Sequence, residues 1–184
     1  MRILLAVALV ACSKEPSAKP VEVKSPEVAA PKPAATRGLT PGAKITSHDD
    51  FVMVDLAPDD GPLRDQVLGW LGNAKDRIFM VETTAKWCRP CIGFTKYAGD
   101  PQMTKALAGV TLARIDIDQF DENEIKSVGL SASAVPWFVL FDDKLEIKDA
   151  ITSGEWDDDV PENMAPVLGA FAHGTYTNRR HGKH

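Results

Sequence analysis

The chain has 184 residues, 44% hydrophobic and 26% charged, which supports one hydrophobic core with some unpacked sequence beside it rather than two full domains. With 21 Lys and Arg against 26 Asp and Glu the formal net charge is −5. There is no basic excess to recruit nucleic acid, which is set aside as a partner.

The chain opens with Arg2 and an apolar run, Ile3 to Val10. That run is far shorter than the roughly 20 residues needed to span a bilayer and reads as the apolar region of a secretory signal over residues 1–11. Leu9-Val10-Ala11-Cys12 resembles the lipobox of bacterial lipoproteins. The resemblance implies cleavage before Cys12 and acylation of that cysteine, and several acyl chains anchor stably where one does not. Ser13 follows in place of a retention Asp, so the expected location is periplasmic and lipid-anchored, at the outer membrane rather than the inner. Residues 12–45 carry Pro16, Pro20, Pro26, Pro31 and Pro33 among small residues, Lys and Glu. No core-forming period is present, so this stretch is expected to be a semi-stiff tether.

The globular pattern begins at about residue 46. Phe51 to Leu56 reads as a strand, and Pro62 to Lys75 as a helix with Leu63, Val67, Trp70 and Leu71 on one face. Arg77 to Thr83 is an apolar strand. Cys91 to Ala108 reads as helical with an interruption near Gly99-Asp100-Pro101, and Thr111 to Ile117 is again a strand. Phe120 to Val128 is a short helix stopping at Gly129. Trp137 to Phe141 and Leu145 to Ile151 form a hairpin about Asp142-Asp143, and Pro161 to Ala172 is a closing helix containing Pro166. The predicted order is β-α-β-α-β-α-β-β-α, an α/β domain over 46–172 with a central mixed sheet covered by helices on both faces. Asp157, Asp158 and Asp159 are expected to favour the start of the last helix. The polar residues 173–184, with His173, His181 and His184, are expected to form a flexible tail.

Apart from Cys12 the chain has two cysteines, Cys88 and Cys91, in the stretch Trp87-Cys88-Arg89-Pro90-Cys91. A redox couple, half of a metal site and a structural staple are the three readings of such a pair. Cys88 falls where a strand gives way to a helix, so unpaired N–H groups and the helix dipole favour a thiolate there, with Arg89 adding positive charge. Cys91 is one helical turn on, within reach of Cys88. Pro90 is tolerated because a first-turn N–H has no helical acceptor. Trp87 offers apolar surface beside the pair. An exported chain lives where disulfides persist, which favours the redox reading.

This motif, with Val135-Pro136 standing before a strand, resembles the thioredoxin family over roughly residues 47 to 172. The stretches from Asn73 to Cys88 and from Cys91 to Gly109 resemble the periplasmic C-terminal domain of the disulfide reductase DsbD and related exported proteins. The resemblance implies the thioredoxin fold and a thiol-disulfide oxidoreductase with Cys88 and Cys91 as the reacting pair. It implies Glu82 as a buried proton acceptor for Cys91, Pro136 in the cis form, and Val135 with Pro136, Trp87, Arg89 and Pro90 as the surface that meets substrate. The partners implied are disulfide-bearing exported proteins and a membrane thiol transporter of DsbD type as electron donor, with no cofactor. The absence of a histidine between the cysteines and the presence of Glu82 favour reduction or isomerisation over oxidation. Other readings are a Cu(I)-handling module using Cys88 and Cys91, and a binding domain that the disulfide merely staples.

Overall fold

The strands form where β-branched and apolar residues run together. A computed structural model describes residues 42–181. The signal segment, the acylation site at Cys12, nearly all of the 12–45 tether and the end of the tail lie outside the described residues. Six strands, β1 (Lys44–His48), β2 (Phe51–Asp55), β3 (Ile78–Thr84), β4 (Val110–Asp116), β5 (Trp137–Phe141) and β6 (Ile147–Thr152), form one sheet in the order β1-β2-β4-β3-β5-β6. β4 is parallel to β2 and β3, while β1, β5 and β6 pair antiparallel with their neighbours. The inner strands β3 and β4 are buried almost throughout, because helices cover both faces of a sheet built around parallel strands.

On one face lie α1 (Leu63–Asn73) and α4 (Glu122–Ser127), whose Leu63, Val67 and Ile125 pack on Val54, Val81 and Ile115. On the other lie α2 (Arg89–Tyr97), α3 (Pro101–Ala106) and α5 (Pro161–Ala172), whose Phe94, Met103, Leu168 and Phe171 pack on Met80, Leu112 and Phe138. With β4 between β2 and β3 and an antiparallel β5–β6 hairpin beside β3, this is the thioredoxin fold expected from the sequence, extended by β1.

Two local features, β1 and the start of α5, differ from the sequence expectation. β1 has no counterpart in that expectation and begins inside the expected tether. It is an edge strand of mostly exposed residues, KITSH, with no apolar run to announce it, and its partner β2 supplies the pattern it lacks. The helical stretch 91–108 divides into α2 and α3 at the interruption expected near Gly99-Asp100-Pro101, because the Asp100 carboxylate accepts the Gln102 N–H at 2.8 Å and starts a new helix at Pro101. The residue before α5 is Val160, with no side-chain cap. The aspartates upstream act elsewhere: Asp157 pairs with Arg180, and Asp159 Oδ1 accepts from Trp156 Nε1 at 2.9 Å.

The tail beyond α5 also departs from the fraying end that its polarity suggests. Glu155, only 2% exposed, accepts the Tyr176 hydroxyl at 2.6 Å and the backbone N–H groups of Arg180 and His181 at 2.8 and 3.1 Å. Arg179 pairs with Asp149 and donates to the Ala150 carbonyl of the edge strand β6 at 3.1 Å. Through His181 the tail is held by acceptors far back in the chain, which local sequence does not reveal.

Candidate functional site

β3 runs into the turn Ala85–Trp87, and Cys88 then occupies the N-cap of α2, with Arg89 and Pro90 as its first helical residues. Cys88 and Cys91 form a disulfide, with Cα atoms 5.3 Å apart. The Cys91 N–H points at Cys88 Sγ across 3.2 Å. That donor, with the helix dipole behind it, favours negative charge on the Cys88 sulfur once the disulfide is opened.

Cys88 is 4% exposed and Cys91 1%, so both cysteines are nearly buried. Beside them Trp87 is 62% and Ile92 52% exposed, two large apolar side chains turned to solvent. The Trp87 indole N–H reaches Asp118 Oδ1 at 3.3 Å. Arg89 is exposed and Pro90 half-buried.

The Val135–Pro136 peptide is cis. Val135 packs, with Ile117, against the small cluster of Ala85, Cys88 and Cys91, so the loop before β5 meets the disulfide although 44 residues separate Val135 from Cys91. Thr83 holds this loop: its hydroxyl donates to the Ala134 carbonyl at 2.6 Å and accepts from the Trp137 N–H at 3.2 Å. Sequence reasoning passed over Thr83, whose one signal is a hydroxyl inside an apolar strand.

Glu82 is fully buried. Strand alternation does not turn it to solvent, because β3 is covered on both faces and Glu82 shares with Met80 the face that α2 overlies. Its partner, also missed in the sequence, is Arg114, opposite it on β4. Arg114 Nε donates to Glu82 Oε2 at 2.8 Å and Nη1 to Asp55 Oδ1 at 3.0 Å. Nη2 donates to Thr95 Oγ1 at 2.8 Å and Thr84 Oγ1 at 3.3 Å. Glu82 Oε1 has no hydrogen-bond partner among the described residues. Burial pushes the Glu82 carboxyl up to about 7, and Arg114 draws it back only in part. An acid poised there can take up and release a proton near neutrality.

A cavity of about 550 Å³ opens beside this group, lined by Cys91, Ile92, Thr95, Thr84, Arg114 and Asp55 among others. Among the described residues no three His, Cys, Asp or Glu side chains gather as a metal-ligand group, and no helix is long and apolar enough to cross a membrane.

A disulfide at the start of α2, flanked by exposed apolar side chains and by a cis-proline loop, defines this as a thioredoxin-fold protein whose site is built for thiol-disulfide exchange. No protein-family model matches the chain. It is 29% identical over 107 residues to the thiol:disulfide interchange protein DsbD of Shigella boydii serotype 4, and 28% identical over the same length to DsbD of Escherichia coli K12. Each match covers 57% of this chain and 18% of the relative, so the chain spans under a fifth of those relatives. Among solved structures it is similar to a mutant thioredoxin from Halobacterium salinarum, with 18% identity, TM-score 0.44, and 71% of this chain and 94% of that one covered. It is also similar to Fasciola hepatica thioredoxin, with 24% identity, TM-score 0.39, and 48% and 80% covered.

Proposed function

We propose that the protein is an exported, lipid-anchored thiol-disulfide oxidoreductase that reduces or isomerises disulfides of periplasmic proteins. The observation that carries this reading is the Cys88–Cys91 disulfide at the N-terminus of α2, with a poised buried acid on the sheet face below the helix. The DsbD matches support the class of chemistry. Export and anchoring rest on the signal-like segment 1–11 and the lipobox ending in Cys12.

In the reducing direction the dithiol form acts. The Cys88 thiolate attacks one sulfur of a substrate disulfide, breaking that bond, and the departing substrate thiolate takes a proton. Cys91 then gives its proton to the Glu82 carboxylate, and its sulfur attacks Cys88 Sγ. The mixed disulfide breaks, and the second substrate thiolate leaves and is protonated. Two electrons have passed to the substrate, and the protein is left with the Cys88–Cys91 bond. A dithiol donor must restore the reduced form, and a membrane thiol transporter of DsbD type fits that need. Trp87, Ile92, Arg89, Pro90 and the Val135-Pro136 loop form the surface that meets the substrate.

The test replaces Cys91 with Ala in cells and isolates whatever stays covalently bound to Cys88. Thiol-reversible adducts with specific exported proteins are expected. No adduct, together with a wild-type protein inactive on a model disulfide, would overturn the reading. A measured reduction potential nearer to about −120 mV than to about −270 mV would reverse the direction to oxidation.

A further inference from the structure

Asp55, Arg114 and Glu82 form one row across three adjacent strands: Asp55 on β2 pairs in register with Arg114 on β4, which pairs with Glu82 on β3. The single cation lies between two carboxylates. Exposure rises along the row, from 0% for the Glu82 side chain through 8% for Arg114 to 42% for Asp55. Asp55 and Arg114 line the same cavity as Cys91, whereas Glu82 does not.

The donors of Arg114 are divided in a telling way. A guanidinium can grip one carboxylate with two parallel N–H groups, and such a grip would make Glu82 a poor proton acceptor. Here only Nε reaches Glu82. Nη1 is taken by Asp55 and Nη2 by the Thr95 and Thr84 hydroxyls, and Glu82 Oε1 is left unpartnered. The charge count agrees: when Glu82 is protonated, Asp55 and Arg114 already form a neutral pair, so ionising Glu82 leaves the row with net charge −1.

We propose that Asp55 is a positioning residue for the step in which Cys91 loses its proton: by holding one arm of Arg114 toward the cavity, it loosens that cation's grip on Glu82 and keeps the buried carboxylate ready to accept a proton. The charge of Asp55 also acts directly on Glu82 in the same sense. The other charged groups lining the cavity are Lys86 from the turn before α2, Lys96 from α2 and Asp116 from β4. β5 sets only the uncharged Phe138 opposite Glu82.

The role assigned to Asp55 rests on the oxidoreductase reading, but its test can be separated from it. In oxidised full-length protein labelled at glutamate carboxyl carbons, the Glu82 signal is assigned by its loss in Glu82→Gln and followed by NMR against pH. Asp55→Asn is expected to lower the Glu82 midpoint by about half a pH unit, about threefold in proton affinity. Asp55→Ser should do the same, and Asp55→Glu should restore the wild-type value. A midpoint that stays put or rises in both neutral variants overturns the proposal. In a second measurement glutathione is loaded onto Cys88 as a mixed disulfide, and its release by Cys91 is timed against pH. The profile of Asp55→Asn should shift to lower pH by the same factor. If wild-type protein fails to release glutathione, the oxidoreductase reading falls, while the carboxyl titration still decides whether Asp55 controls Glu82.

Discussion

Thr95 ties Cys91 to Arg114: its hydroxyl donates to the Cys91 carbonyl at 2.8 Å and accepts from Arg114 Nη2 at 2.8 Å. Since Arg114 in turn donates to Glu82, a run of hydrogen bonds joins the helix carrying the second sulfur to the acid buried in the sheet. Thr95→Val removes both bonds and leaves one arm of a nearly buried guanidinium without this acceptor. A loss of about 1–2 kcal/mol is expected in urea unfolding of the oxidised protein, and Thr95→Ser, which keeps the hydroxyl, should lose much less.

Glu82 makes stability depend on pH. Its carboxyl is raised to about 7 by burial, above its value in an unfolded chain, so the folded state binds the proton more tightly. The resulting stabilisation is fully present below the unfolded value of about 4.5 and is lost as pH rises through 7. Relative to Glu82→Gln, the oxidised wild type should therefore lose about 3 kcal/mol between pH 4 and pH 8. Urea midpoints of the two proteins at both pH values measure this, and a constant difference would contradict a raised Glu82.

Gly93, inside α2, allows a close approach of the loop that leads to α5. A Cβ there would lie 2.6 Å from Asp159 Cβ and 3.3 Å from the Asp159 carbonyl oxygen, inside van der Waals contact. Gly93→Ala should cost about 1–2 kcal/mol despite alanine's better helix propensity, because the loop must move off the helix. Thermal unfolding of the oxidised variant checks the sign: a more stable Gly93→Ala would mean the approach is loose.

Glu155 anchors the tail. Burial alone would raise its carboxyl, but the hydrogen bonds from Tyr176, Arg180 and His181 outweigh that and hold it below the usual glutamate range. Its contribution is therefore present above about pH 4.5 and fades as pH falls through the lowered folded value. Glu155→Gln should cost about 1–3 kcal/mol at pH 7 and make the backbone N–H groups of Arg180 and His181 exchange with deuterium faster. Unchanged exchange there would mean that the tail is held by other contacts.

Much of this molecule could be read along the chain. Each strand with a strong apolar run was legible, β5 and α5 to the residue, because burial on both sides of a sheet writes continuous apolar runs and a buried helix face writes a 3.6-residue period. Cys88 and Cys91 were legible because one helical turn is a local distance, whereas Glu82 was singled out by the family resemblance, since strand alternation alone left its side open. The polar strand β1 and the docking of the tail on Glu155 left no such trace, since both depend on partners supplied from elsewhere.

The sequence by itself determined that a cysteine pair begins a helix within an α/β sandwich, since periodicity and adjacent spacing are properties of neighbours. Only the tertiary structure decided what surrounds that pair. Arg114 is 32 residues from Glu82 and 59 from Asp55, and strand order alone sets one cation between two carboxylates and brings Val135 against the sulfurs. Ionisation and access depend on distance through space, which chain spacing does not encode.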